Sequence, residues 1–142
     1  MSYISIGKND SRYETLKKGF NQRWPSDGAD ASAIYVCRSV DNAQQALQHA
    51  VSAGLRPTIR SGGHCYEGFV SNNPGGVIID VGFLTELSVD ENTYRVGAGS
   101  QNWDGYVNLF KLTGSAPPAG SCYSVGTGGH VVAGGYGLLS RL

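Results

Sequence analysis

Glycine is spread unevenly along this chain of 142 residues: apart from Gly7, Gly19 and Gly28, all 21 glycines lie at or beyond Gly54. Glycine has no Cβ, so it lets the backbone turn sharply and lets bare N–H groups approach a ligand. Backbone able to lie close to a ligand is therefore concentrated in the later part of the chain. On composition alone a turn-rich β-domain is slightly preferred to a ligand cradle. Two stretches favour the cradle. Arg60-Ser61-Gly62-Gly63-His64-Cys65-Tyr66-Glu67-Gly68 follows the apolar run Pro57-Thr58-Ile59, which reads as a buried strand. A cation, adjacent glycines and an imidazole after a strand suit a loop that holds a pyrophosphate while a side chain reaches a cofactor's reactive part. Pro118-Ala119-Gly120-Ser121-Cys122 supplies a second nucleophile further on.

Two common nucleotide motifs are excluded. No Gly-Lys-Ser/Thr follows the first loop, so it is not a P-loop. After Cys122 the chain runs through Val125-Gly126-Thr127-Gly128-Gly129-His130 to Gly134-Gly135-Tyr136-Gly137. Counted from Gly126, Val131 stands where the dinucleotide fingerprint requires its third glycine, which disfavours a Rossmann oxidoreductase. Small side chains and consecutive N–H groups here still suit contact with a flat ring and its phosphates.

Charge balances at 11 basic and 11 acidic residues, which gives no electrostatic case for nucleic acid or an anionic membrane. No apolar run is long enough to span a bilayer. The first ten residues lack the basic start and apolar stretch of a secretory signal, so a cytoplasmic protein is expected. Cys37, Cys65 and Cys122 are odd in number and lack CxxC spacing, against both a disulfide framework and a structural zinc site. A zinc-stabilised module using His64, Cys65, Cys122 and His130 is a distant alternative, and no metal is expected.

Residues Ser11 to Trp24 read as a helix with Tyr13, Leu16, Phe20 and Trp24 on one stripe and Pro25 ending it. Ala33 to Cys37 reads as a strand. A helix capped by Ser39 follows, with Ala43, Ala46, Leu47, Ala50 and Val51 inward, His49 solvated and Gly54 at its end. Strand, helix and strand over 33–60 make a βαβ unit, which favours parallel pairing. Gly76 to Asp80 is another buried strand. Leu84–Val89 and Thr93–Gly99 form a hairpin about the turn Asp90-Glu91-Asn92. Asn102 to Leu112 reads as a helix ended by Gly114, with Trp103, Tyr106, Val107 and Phe110 inward.

The ordered set Arg-Ser-Gly-Gly-His-x-Tyr-x-Gly, Pro-Ala-Gly-x-Cys-x-x-Val-Gly-x-Gly-Gly-His and Gly-Gly-Tyr-Gly resembles the berberine-bridge-enzyme-like flavoproteins of the vanillyl-alcohol-oxidase superfamily. The likeness runs from about Ala33 to the end. It implies an α+β fold, the PCMH-type FAD-binding domain, with an N-terminal βαβ unit and then a mixed sheet with helices. Residues 1–32 would be a helical segment and 33–142 the FAD-binding domain, incomplete at its C-terminus and without its substrate domain.

The resemblance further implies FAD held covalently twice, by His64 at the 8α-methyl carbon and by Cys122 at ring carbon 6. Some relatives keep only the histidyl bond. Cofactor-binding residues would be Arg60, Ser61, Gly62, Gly63, Tyr66, Gly68, Gly120, Val125, Gly126, Thr127, Gly128, Gly129, His130, Gly134, Gly135, Tyr136 and Gly137. His130 is expected to support its loop, and Cys65 to be a bystander. Val125 leans the reading towards an oxidase. The implied reaction is hydride transfer from an alcohol or amine C–H to the flavin, then reoxidation by O2. Substrates would be small molecules: sugars, alkaloids or polyketide-like alcohols. The catalytic base belongs to a part of the family's chain without a counterpart here, and Tyr66, Tyr123 and Tyr136 are assigned no such role. Because relatives are longer, this chain is expected to be an N-terminal fragment or one subunit of a split enzyme, inactive alone. The alternative is a non-catalytic piece that binds FAD or another nucleotide.

Overall fold

The computed structural model describes residues 2–22, 24, 28–91 and 93–139. A four-stranded mixed sheet carries the core, in the order β1 (Ile4–Gly7), β2 (Ala33–Val36), β4 (Val77–Asp80), β3 (Pro57–Arg60). β1 is antiparallel to β2; the other pairs are parallel. Alternate side chains leave opposite faces of a strand. Tyr35, Val77 and Ile79 pack with Ala46 and Ala50 of helix α2 (Val40–Ser52), while Ile6, Ile34, Val36 and Ile78 pack with Tyr13 on the other face. Fold class is thus α+β, as the residues and the resemblance implied.

The βαβ expectation needs one correction. β2 and β3 are parallel but not paired, because β4 lies between them. Val77, Ile78 and Ile79 are buried on both faces, which suits an interior parallel strand. β3 begins with Pro57 and leaves Ile59 exposed, so it suits an edge. In register, Val36, Asp80 and Arg60 end together, so the loops after β3 and β4 leave from one rim of the sheet. Ligands gather at such rims.

Helix α2 is capped as expected: the Ser39 hydroxyl accepts from the Asn42 N–H at 3.2 Å. Its buried stripe is narrower than expected, Ala46 and Ala50 with Ala43 partly covered; Leu47 and Val51 are exposed. His49 is exposed but not merely solvated. The Tyr3 hydroxyl bonds its Nδ1, and its ring stacks on Tyr35, which ties the start of the chain to α2. Gly54 and Gly114 both end helices at positive φ.

The helix expected over Ser11–Trp24 shrinks to one turn, α1 (Tyr13–Leu16). The buried Arg60 guanidinium takes the carbonyls of Leu16 and Lys18, and the chain turns away so that Phe20 N–H reaches Gly63 O at 3.0 Å. Pro25 lies outside the described residues. The hairpin forms as β5 (Leu87–Asp90) and β6 (Thr93–Val96); Asn92 of its turn is also outside them. Helix α3 (Asn102–Thr113) has the expected span but a different inner face. Trp103 is 59% and Phe110 63% exposed, whereas Asn102 and Gly105 are buried. A last helix, α4 (Thr127–Ala133), follows the second motif. Among the described residues no helix is long and apolar enough to cross a membrane.

Candidate functional site

The two glycine motifs meet backbone to backbone. A Cβ on Gly62 would lie 2.4 Å from the Gly126 nitrogen, and one on Gly126 would lie 2.1 Å from Ser61 Oγ and 2.2 Å from the Gly62 nitrogen. Only glycine permits this approach, so the glycine pattern encodes the junction. The junction rests on a third segment that sequence reasoning did not assign to the site. Ser61 Oγ donates to Ala98 O at 2.5 Å, Gly128 N–H to the same carbonyl at 3.0 Å, and Thr127 N–H to Ser100 O at 2.8 Å.

His64 crosses from one motif to the other: its Nε2 lies 3.0 Å from Ser124 Oγ. Burial pushes its pKa below the ordinary imidazole value, and its contact with Ser124 works in the opposite direction. The ring is thereby favoured in its neutral, nucleophilic form. Cys122 is exposed on the facing loop. That loop is held by the start of α3. Asn102 Nδ2 donates to Gly120 O at 3.2 Å and Cys122 O at 3.1 Å, and Tyr106 O–H also donates to Gly120 O. The N–H groups of Asn102 and Trp103 donate to Val125 O and Tyr123 O. Two orphan donors of a helix start thus anchor the loop. This explains why the α3 face expected inside is not: its buried Asn102 serves the Cys122 loop.

His130 organises the far side. Its Nε2 accepts from Gly120 N–H at 2.8 Å, and a Cβ on Gly135 would lie 1.5 Å from its Cε1. Ser121 N–H donates to Tyr136 O at 3.0 Å, so the 134–137 segment closes against Gly120. His130 therefore braces the loop at Gly120.

The remaining candidates are placed differently. Arg60 points its guanidinium at Asp80, Nε at 2.8 Å and Nη2 at 2.6 Å from Oδ2, with Nη1 on the Leu16 and Lys18 carbonyls. Its charge is engaged within the sheet rim, so it positions the loop and does not face the cradle as a free cation. Tyr66 is exposed, and Gly68 is a buried turn residue whose carbonyl accepts from Asn72 N–H. Gly129 and Gly134 face open space, and Val125 is half-buried. Cys65 lines a small crevice with Lys17, Gly19 and Val70. Cys37 is buried, which together with Asp80 pushes its thiol up to about 11. Among the described residues no three His, Cys, Asp or Glu side chains gather to hold a metal ion. Sequence reasoning missed Asn102, Ser124 and Phe20 in this site, since no motif spacing singles them out.

Among the described residues, no backbone N–H from Ser61 to Tyr66 donates within the chain. Amides of this kind, on a loop at the sheet rim that is half-buried up to Cys65, can hold a diphosphate. Together with the glycine junction, they fit the phosphate part of a dinucleotide.

Gly126→Ala is expected to force the two loops apart and to destabilise the fold by about 1–3 kcal/mol. Thermal melting checks this, with Gly129→Ala as the control that stays close to the native chain, because nothing lies within 4 Å of the added methyl.

Fold and site together suit a nucleotide-cofactor domain, with His64 on the loop that joins the two glycine motifs. Residues 31–142 match the family described as FAD binding domain. The chain belongs to this family. It is 43% identical over 138 residues to hexose oxidase of Chondrus crispus, covering 95% of this chain and 25% of that protein. With berberine bridge enzyme-like 3 of Arabidopsis thaliana it shares 40% over 145 residues, 99% of this chain and 25% of that protein. The crystal structure of a glycopeptide hexose oxidase complexed with teicoplanin superposes with a TM-score of 0.87 at 35% identity, covering 99% of this chain and 28% of that one. The chain thus spans about a quarter of the length of the curated relatives it matches.

Proposed function

We propose that this chain is the FAD-holding part of an oxidase that removes hydride from a carbinol or amine C–H, with a hexose or sugar-like alcohol as substrate and O2 as electron acceptor. The observation that carries the reading is the junction of Gly62 with Gly126, which sets His64 against the loop of Cys122. Bound FAD would supply the two-electron chemistry. The chain's residues supply binding and orientation: the amides of Ser61 to Tyr66 for the diphosphate, neutral His64 and the exposed Cys122 thiol as covalent anchors, and Asn102, Tyr106 and His130 to hold the Cys122 loop. The names of the hexose oxidases among the relatives support the substrate class. The quarter-length match supports a division of labour in which polypeptide equivalent to the rest of those relatives supplies the substrate pocket and base.

The test is peroxide formation from glucose and other hexoses. The chain with FAD is expected to give none alone, and peroxide when complemented by the remainder of a hexose oxidase. Turnover by the chain alone, with no longer species in the sample, would overturn the division of labour. Failure of every complemented mixture that holds flavin would count against the oxidase reading.

A further inference from the structure

We propose that Phe20 is a positioning residue for His64, holding the plane of the imidazole so that a ring nitrogen is aimed at the cofactor. The two rings are stacked, centroids 4.0 Å apart and planes 15° from parallel. The contact is built by the backbone as well. Phe20 N–H and Asn21 N–H both donate to Gly63 O, at 3.0 and 3.4 Å, which staples this turn to the residue before His64. The approach is close enough that a Cβ on Gly19 would lie 2.6 Å from Gly63 O. Phe20 is nevertheless 63% exposed and belongs to neither apolar cluster of the core. A large apolar side chain left in solvent, with its flat face on one imidazole, contributes to that imidazole more than to folding.

Ser124 holds the ring by one nitrogen, which fixes a point but leaves rotation about it; the stack on Phe20 removes that freedom. Offset aromatic stacking prefers one relative plane. Covering the face also excludes water from one side of the ring, in line with its burial-lowered pKa.

The role rests on reading His64 as a flavin anchor. In that step a C–N bond forms between the imidazole and the 8α carbon. One proton leaves the methyl group and one leaves the imidazole, and the electron pair passes by way of the flavin to dioxygen, giving hydrogen peroxide.

Two measurements on the whole chain separate the stack from the anchor. In the flavin-free chain, nuclear magnetic resonance should show the His64 carbon-bound protons shifted upfield by the Phe20 ring. The shift should vanish in Phe20→Leu and persist in Phe20→Tyr. With FAD added in a Cys122→Ala background, mass spectrometry should show covalent loading slowed on the order of tenfold or more in Phe20→Leu, as expected when a reacting group is misplaced, and restored in Phe20→Tyr. Unchanged melting of Phe20→Leu excludes a merely structural effect. Loading that is equal in all three chains overturns the proposal, as does loss in Phe20→Tyr equal to that in Phe20→Leu. An intact shift in a native chain that never loads overturns His64 as the anchor, and with it the role of Phe20, while leaving the stack itself established.

Discussion

His64→Ala is expected to yield a folded chain whose flavin is no longer bound through the 8α carbon. His64 sits half-buried on a rim loop and outside both core clusters, so truncating it removes little packing. What is lost is the imidazole that spans the two motifs. After denaturation, His64→Ala should hold flavin only through Cys122 and Cys122→Ala only through His64, and the double variant should hold none. Peptide mapping of the denatured samples checks each bond. Anchoring should also slow on acidification, because only the neutral imidazole has a lone pair to give. Burial keeps the folded-state pKa of His64 below its unfolded value, so the unfolded chain binds this proton more readily. Its contribution to stability therefore declines as pH falls through the ordinary histidine range and is restored above it.

Asp80→Ala is expected to have the largest effect on stability. Asp80 Oδ2 receives both Nε and Nη2 of Arg60, and Oδ1 accepts from Gly82 N–H at 2.8 Å. The side chains of Arg60 and Asp80 are 7% and 17% exposed. Removing the carboxylate leaves a guanidinium enclosed without its counter-charge, a change that costs about 3–5 kcal/mol. For a domain of this size that lowers the melting temperature by on the order of 10 °C. Calorimetry or far-ultraviolet circular dichroism checks it. Arg60 also caps α1 through Leu16 O and Lys18 O, so the Phe20 turn should loosen with it.

Elements set by local chemistry were legible before the structure. Ser39 as a cap, Gly54 and Gly114 as helix ends, and the β5–β6 hairpin need only neighbouring residues to specify them. The paired glycines after a strand pointed to close approach of backbone to a ligand, and did not say that Gly62 would meet Gly126. The failures all involve distant partners. Tyr13, Leu16, Phe20 and Trp24 have helical spacing, but Arg60 lies 44 residues beyond Leu16 and takes its carbonyl. Arg60 beside glycines reads as a phosphate cation until Asp80, 20 residues on, is seen to claim it. Trp103 and Phe110 look like core anchors by periodicity, yet α3 is oriented by the hydrogen bonds of Asn102 to the Cys122 loop. Strand order escaped for the same reason. Nothing local to 33–60 says that Val77-Ile78-Ile79 will insert between its two strands.

On the proposed function, FAD would be held covalently at the junction of the two glycine motifs. The most direct measurement is the intact mass of the denatured chain after exposure to FAD, beside the visible spectrum of its acid-precipitated pellet. The expected result is a mass increased by one FAD and a yellow pellet, both retained when either His64 or Cys122 is replaced and lost when both are. A bare mass with a colourless pellet, from a chain that is folded and saturated with FAD beforehand, would contradict it.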